Sequence, residues 1–174
     1  MALALWAGVG APVAARAQDA PDLEYAVKAN YLYKFAPFVE WPPRAFAAAG
    51  APFTVCVFGE DPFGRALDEA VRGQTVAGRP VVVRRLQAAA AAPACNVLYV
   101  GRSRTQAPGD VLRITHGAPV LTVTDDRQGV GGGIVHFVLR GGRVRFSLDL
   151  AQARSSGLVL SSKLLSLAVP RNGG

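Results

Sequence analysis

Between residues 22 and 40 the apolar positions recur at steps of four and three. Tyr25, Ala29, Leu32, Ala36 and Val39 form one stripe, which predicts a helix over 22–40. Trp41-Pro42-Pro43 ends it, because a residue before proline is driven out of the helical region. A second stripe, Val27, Tyr31, Phe35 and Phe38, lies on the opposite side among Glu24, Lys28 and Lys34. A helix apolar on two sides is either sandwiched inside the fold or docks a partner. Both readings stand, with interior packing preferred.

Further along, the period changes. Phe53 to Phe58 (FTVCVF) is a short continuous apolar run, which predicts a strand buried on both faces. Asp61-Pro62 opens a helix reaching about Val71, with Asp61 as its cap and Pro62 in its first turn. Val81 to Arg85, Asn96 to Val100 and Val120 to Thr124 read as three more strands. An Ala-rich connection over 88–94 and a short helix near 108–115 lie between them. Strands alternating with helical segments predict a single α/β domain with a mixed, mostly parallel sheet flanked by helices.

The last third has another character. Ile134 to Leu139 and Val144 to Leu150 flank Arg140-Gly141-Gly142-Arg143, and a two-residue Gly-Gly loop between strands is a strong hairpin signal. The turn sets the register: Phe137 pairs with Phe146 and Val135 with Leu148 on the core face. Ser155-Ser156-Gly157 breaks the chain, and residues 161–168 read as a closing helix capped by Ser161 or Ser162. Residues 169–174 read as a loose tail.

Composition adds a destination. The first residues, MALALWAGVGAPVAARAQ, are an apolar run followed by a small-x-small site. That pattern predicts a signal peptide over 1–17, cut after Ala17, although no basic residue precedes the apolar run. Losing Arg16 with the leader lowers the net charge from +7 to +6. With no second long apolar segment, the mature chain is expected to be exported and soluble. The basic residues are scattered, and the pairs Arg84-Arg85 and Arg102/Arg104 lack interleaved aromatics, so nucleic acid is not the expected partner. Cys56 and Cys95 are the only cysteines. In an oxidising compartment their expected fate is one disulfide, the alternative being two separate buried thiols.

No catalytic set emerges. The hairpin register places His136 opposite Ser147, with Arg145 and Asp149 one step to either side, which invites a hydrolase reading. Side chains on the open face of a hairpin supply neither a pocket nor oxyanion donors, so a polar contact surface is preferred. The run GVGGG over 129–133 lacks the third glycine and the following helix of a dinucleotide loop. Two His and two Cys in unrelated spacings make no metal site. Neither enzyme activity nor a cofactor is expected.

Several segments together resemble the YfiR family. KANYLYKFAPFVEWPPRAF is similar to the family's opening helix and its Trp-Pro ending. Cys56 in FTVCVFGEDPFG and Cys95 in CNVLYVG resemble its first strand and its Cys-led third strand. The stretch from VLTVTDD to SKLLSLA resembles its C-terminal block, so the resemblance spans about residues 24–168. Asn96 stands where His often follows the cysteine, Ser147-Leu148-Asp149 where Glu-Ile-Asn is common, and a further cysteine pair of some members is missing. The resemblance implies that Cys56 and Cys95 form the structural pair. It also implies a periplasmic repressor that binds the sensor domain of a membrane diguanylate cyclase, lowering cyclic-di-GMP and biofilm output. An outer-membrane-associated lipoprotein that sequesters the repressor is implied as a second partner. The rival expectation is a small-ligand binding module feeding another membrane sensor, such as a histidine kinase. Exposure reasoning offers Tyr31, Phe38, His136, Arg145 and Asp149 as contact residues, with a homodimer through the second stripe as a further option.

Overall fold

The computed structural model describes residues 19–171. The signal-peptide expectation, residues 1–17, lies outside them, as do residues 172–174 of the tail. Helix α1 (Asp19–Lys34) leads through a 3-10 turn (Ala36–Phe38) into strand β1 (Val39–Glu40). Then follow β2 (Phe53–Phe58), α2 (Arg65–Val71), β3 (Thr75–Val76), β4 (Arg79–Leu86), β5 (Val97–Val100), α3 (Pro108–Ile114) and β6 (Leu121–Asp125). The chain closes with β7 (Val135–Arg140), β8 (Arg143–Leu148), α4 (Leu150–Ser155), β9 (Val159–Leu160) and α5 (Ser162–Leu167).

Seven strands form one sheet in the order β3-β4-β2-β5-β6-β7-β8, and β1 pairs separately with β9. Strands β4, β2, β5, β6 and β7 are parallel; β3 and β8 run antiparallel at the two edges. Every residue of β2, β5 and β6 is buried, as strands covered on both faces require. Alternate side chains serve two cores. Val55, Val57, Val97, Tyr99 and Val123 face α1 and α2, with Leu32 and Leu67. Cys56, Phe58, Leu98 and Val100 face α3 and the 3-10 turn Ala89–Ala94, with Val111. The sheet thus has a helical layer on each side, as the alternation of periods predicts.

The hairpin register is as read from the turn: Phe137 pairs with Phe146, Val135 with Leu148 and His136 with Ser147. Gly141 and Gly142 hold φ of +55° and +70°, the left-handed pair that a two-residue hairpin turn demands.

Four expectations need correction. The first helix stops at Lys34 rather than Glu40, because Pro37 shortens it to a 3-10 turn and Val39–Glu40 are drawn into pairing with Val159–Leu160. Asp61 does not cap α2. Its Oδ1 accepts from the backbone N–H groups of Phe63 and Gly64 in a turn, and the helix starts after Gly64. The second hairpin strand ends at Leu148, since Asp149 caps a short α4 by accepting from Gln152 N at 2.9 Å. The described part of the tail is docked: Val169 N donates to Phe146 O at 2.9 Å, and Arg171 donates to Gly133 O at 2.9 Å. β8 is an edge strand, and the tail takes up part of its unpaired backbone.

Cys56 and Cys95 are joined, with Cα atoms 5.9 Å apart and 39 residues of separation. On the chain-entropy argument such a link stabilises the fold by about 4 kcal/mol. The Cys56→Ala/Cys95→Ala variant is therefore expected to lose about that much in urea unfolding. An unchanged midpoint would remove the bridge from the stability account.

Candidate functional site

The first helix is held by a charge that water hardly reaches. Lys28 is 1% exposed. Its Nζ donates to both oxygens of Asp125, at 2.8 and 2.7 Å, and to Glu24 one turn earlier. Asp125, at the carboxyl end of β6, also accepts from Tyr99 Oη at 3.2 Å and from Arg127 N at 3.0 Å. The Tyr25 ring lies 4.8 Å from the ammonium, and Arg127 Nε closes the outside, 3.4 Å from Glu24 Oε2. Burial, followed by the Asp125 charge, pushes the Tyr99 phenol well above its usual range, so it stays a donor. Taking these ions out of water costs several kcal/mol each, which only such complete pairing offsets.

The pairing fixes α1 against the sheet and leaves a groove of about 790 Å³ between α1 and the β7–β8 hairpin. Its apolar members are conspicuous: Leu23 is 67% exposed, Val27 39% and Leu139 39%. Tyr31 forms part of the wall, its ring 5.5 Å from Phe35 and 6.0 Å from both Phe137 and Phe146. Arg127, Arg143 and Arg145 line the same groove. Its one carboxylate, Glu24, is largely buried and already paired with Lys28 and Arg127. The groove therefore presents apolar surface together with net positive charge.

Of the five expected contact residues, Tyr31 and Arg145 meet in this groove. The second helical stripe is divided: Phe35 and Tyr31 pack inward on the hairpin, while Val27 stays exposed. Phe38 is elsewhere, half-buried beneath α5, with Lys163 Nζ 5.7 Å over its ring. His136 and Asp149 lie away from the groove, next to the docked tail. His136 shares a 2.9 Å hydrogen bond with Thr124 Oγ1, and burial lowers its pKa below the usual 6.5. Asp149 is ion-paired with Arg171; the Gln152 N–H and then Arg171 hold its carboxyl below the usual range. Ser147, expected on an open polar face, is buried instead, because the tail covers that face. His136 is thus bonded to Thr124, and Asp149 is committed to Arg171 and α4, which leaves Ser147, His136 and Asp149 without the linked hydrogen bonds of a relay. Among the described residues no group of three His, Cys, Asp or Glu side chains converges as metal ligands.

Sequence reading missed Lys28, Asp125 and Arg127. The signal was present: Lys28 sits between two apolar stripes, and Asp125 directly follows a fully buried strand pattern.

The fold and groove define a small α/β domain with an amphipathic, basic groove on its surface. The profile of the YfiR/HmsC-like family (DUF4154) matches residues 25–169, and the chain belongs to that family. Membership points to periplasmic regulation of diguanylate cyclase signalling. No curated protein matches the chain. No helix among the described residues is long and apolar enough to cross a membrane.

Replacing Lys28 by Met leaves Asp125 and Glu24 buried without their cation. The K28M variant is expected to lose about 3–5 kcal/mol of stability in denaturant unfolding. A loss below about 1 kcal/mol, the range of exposed pairs, would contradict the buried-ion account.

Proposed function

We propose that this protein is a periplasmic repressor, delivered by a leader over residues 1–17, that binds the sensor domain of a membrane diguanylate cyclase in its inactive state. The observation that carries this reading is the family match over residues 25–169. The α1–hairpin groove supplies the surface. Exposed Leu23, Val27 and Leu139 give it apolar area, and Arg127, Arg143 and Arg145 give it charge. Its occupant is an acidic amphipathic segment of the cyclase's periplasmic domain, chosen by charge complementarity. An outer-membrane-associated lipoprotein that competes for the repressor would relieve the restraint.

The mechanism is linkage, and it asks no chemistry of the repressor. A ligand shifts a two-state partner only by its differential affinity for the two states. Holding an otherwise fully active cyclase near one per cent activity takes a preference of about 10⁴-fold for the inactive state. Rim arginines contribute mainly to encounter rate and orientation, and the apolar members to residence time.

Arg143 is exposed and Arg145 half-buried, so both tolerate substitution. The R143E/R145E variant is expected to bind the cyclase's periplasmic domain at least about tenfold more weakly, a loss of about 1.4 kcal/mol. In cells it should raise cyclic-di-GMP towards the level of a deletion strain. Affinity unchanged in a variant with native circular dichroism would remove the groove from the interface. Unchanged cyclic-di-GMP in the deletion strain would remove the regulatory role.

A further inference from the structure

A second concavity lies at the carboxyl edge of the sheet, away from the hairpin. The chain leaves β2 outward to β4 and then returns across it to β5. Consecutive connections thus diverge between β2 and β5, the place in an open parallel sheet where a crevice forms beyond the strand ends. Here it holds a cavity of about 490 Å³, within the range of metabolite sites. Phe58 and Leu86 supply its apolar floor, and Arg85, Arg102, Arg104 and Thr105 supply polar groups.

The site is held rigid by backbone. Glu60 N donates to Arg102 O at 2.7 Å, and Gly101 N to Phe58 O at 2.9 Å. A Cβ at Gly59 would stand 2.3 Å from Arg102 O, and one at Gly101 would stand 2.5 Å from Glu60 O. Only glycine permits so close an approach of the two loops. On the β5 side, Ser103 Oγ accepts from the N–H groups of Thr105 and Gln106, and Gln106 Oε1 accepts from Ala89 N at 2.8 Å.

The ion pairs around the cavity leave one guanidinium over. Arg85 is immobilised by Asp61, Asp68 and Gly64 O, with contacts of 2.7 to 3.0 Å. Asp61 is consumed by Arg85 and by the N–H groups of Phe63 and Gly64. Glu60 is tethered to Arg102 at 3.3 Å. Arg104 makes no ion pair among the described residues. With Asp68 counted, three carboxylates balance the three guanidiniums, and both acidic partners of Arg85 are spent on it; Arg104 is the group left without a carboxylate, beside the donor-capable hydroxyl of Thr105 and the loosely held guanidinium of Arg102. Arg102 and Arg104 also line a neighbouring cavity over α3, so they form a ridge reachable from two sides.

We propose that this crevice is a binding site for a small oxyanion-bearing metabolite, with Arg104 and Arg102 as its charge partners. Carboxylate and phosphate share the chemistry that two guanidinium groups recognise. The site is separate from the docking groove and does not depend on the cyclase reading.

The test is an amide-shift titration of the ¹⁵N-labelled mature chain at constant ionic strength, with inorganic phosphate, succinate and chloride as probes. Saturable shifts confined to residues 59–61 and 102–105 are expected with phosphate, succinate or both, and none with chloride. The stronger of the two arms says whether a phosphate ester or a carboxylate is the natural class. Arg104→Ala, an exposed position, is expected to weaken the response at least tenfold while the remaining spectrum stays native. Non-saturating shifts, shifts equal to those with chloride, or an unchanged response in Arg104→Ala would overturn the proposal.

Discussion

A lysine ammonium group shut away from water fixes the geometry of this protein. Lys28 sits between two carboxylates and beneath an aromatic ring, and it reaches the end of β6 from the middle of α1. An ion in that position tolerates no sliding of the helix, since a shift of one turn would strand the ammonium and Asp125 without partners. Apolar packing alone is less exacting, because Leu32, Ala29 and Phe35 present similar surface at neighbouring registers. The buried pair therefore converts a helix that merely covers a sheet into one whose outer edge has a defined position. The groove depends on that: its walls are α1 and the hairpin, and their spacing follows from where Lys28 meets Asp125.

The same cluster ties the two concave regions together. Arg127 follows Asp125 by two residues, pairs with Glu24 on α1, and lines both the groove and the cavity that adjoins the crevice at the strand ends. One short segment after β6 thus borders the surface read as protein-binding and the region read as ligand-binding. The hairpin supplies the other wall of the groove, and the docked tail holds its back: Val169 on Phe146, and Arg171 on Asp149 and Gly133.

Much of this was legible in the sequence, for reasons that can be stated residue by residue. Continuous apolar runs marked β2 and β5 because both faces of those strands are covered. Gly141-Gly142 fixed the hairpin register because turn geometry leaves only one pairing. The single cysteine pair had only one intramolecular partner choice, and the structure joins it. Other features were decided by tertiary context. Val39–Glu40 became a strand only because β9, more than a hundred residues later, lies beside it. Asp149 reads equally as the next polar residue of an alternating strand and as a helix cap, and the cap won. Ser147 was buried by a tail whose sequence carries no periodic signal. Exposure reasoning grouped His136 and Asp149 with Tyr31 and Arg145, yet the first two meet the tail residue Arg171 while the other two line the groove. Local pattern does not say which neighbour covers which face.

The central claim is that the α1–hairpin groove, positioned by the buried ion cluster, is the surface that meets the membrane partner. Hydrogen–deuterium exchange on the protein with and without the cyclase's periplasmic domain tests it most directly. Slowed exchange is expected in peptides spanning residues 23–31 and 139–145, with the crevice loops unaffected. Protection confined to residues 36–41 and 161–167, with the groove peptides exchanging as in the free protein, would contradict the account.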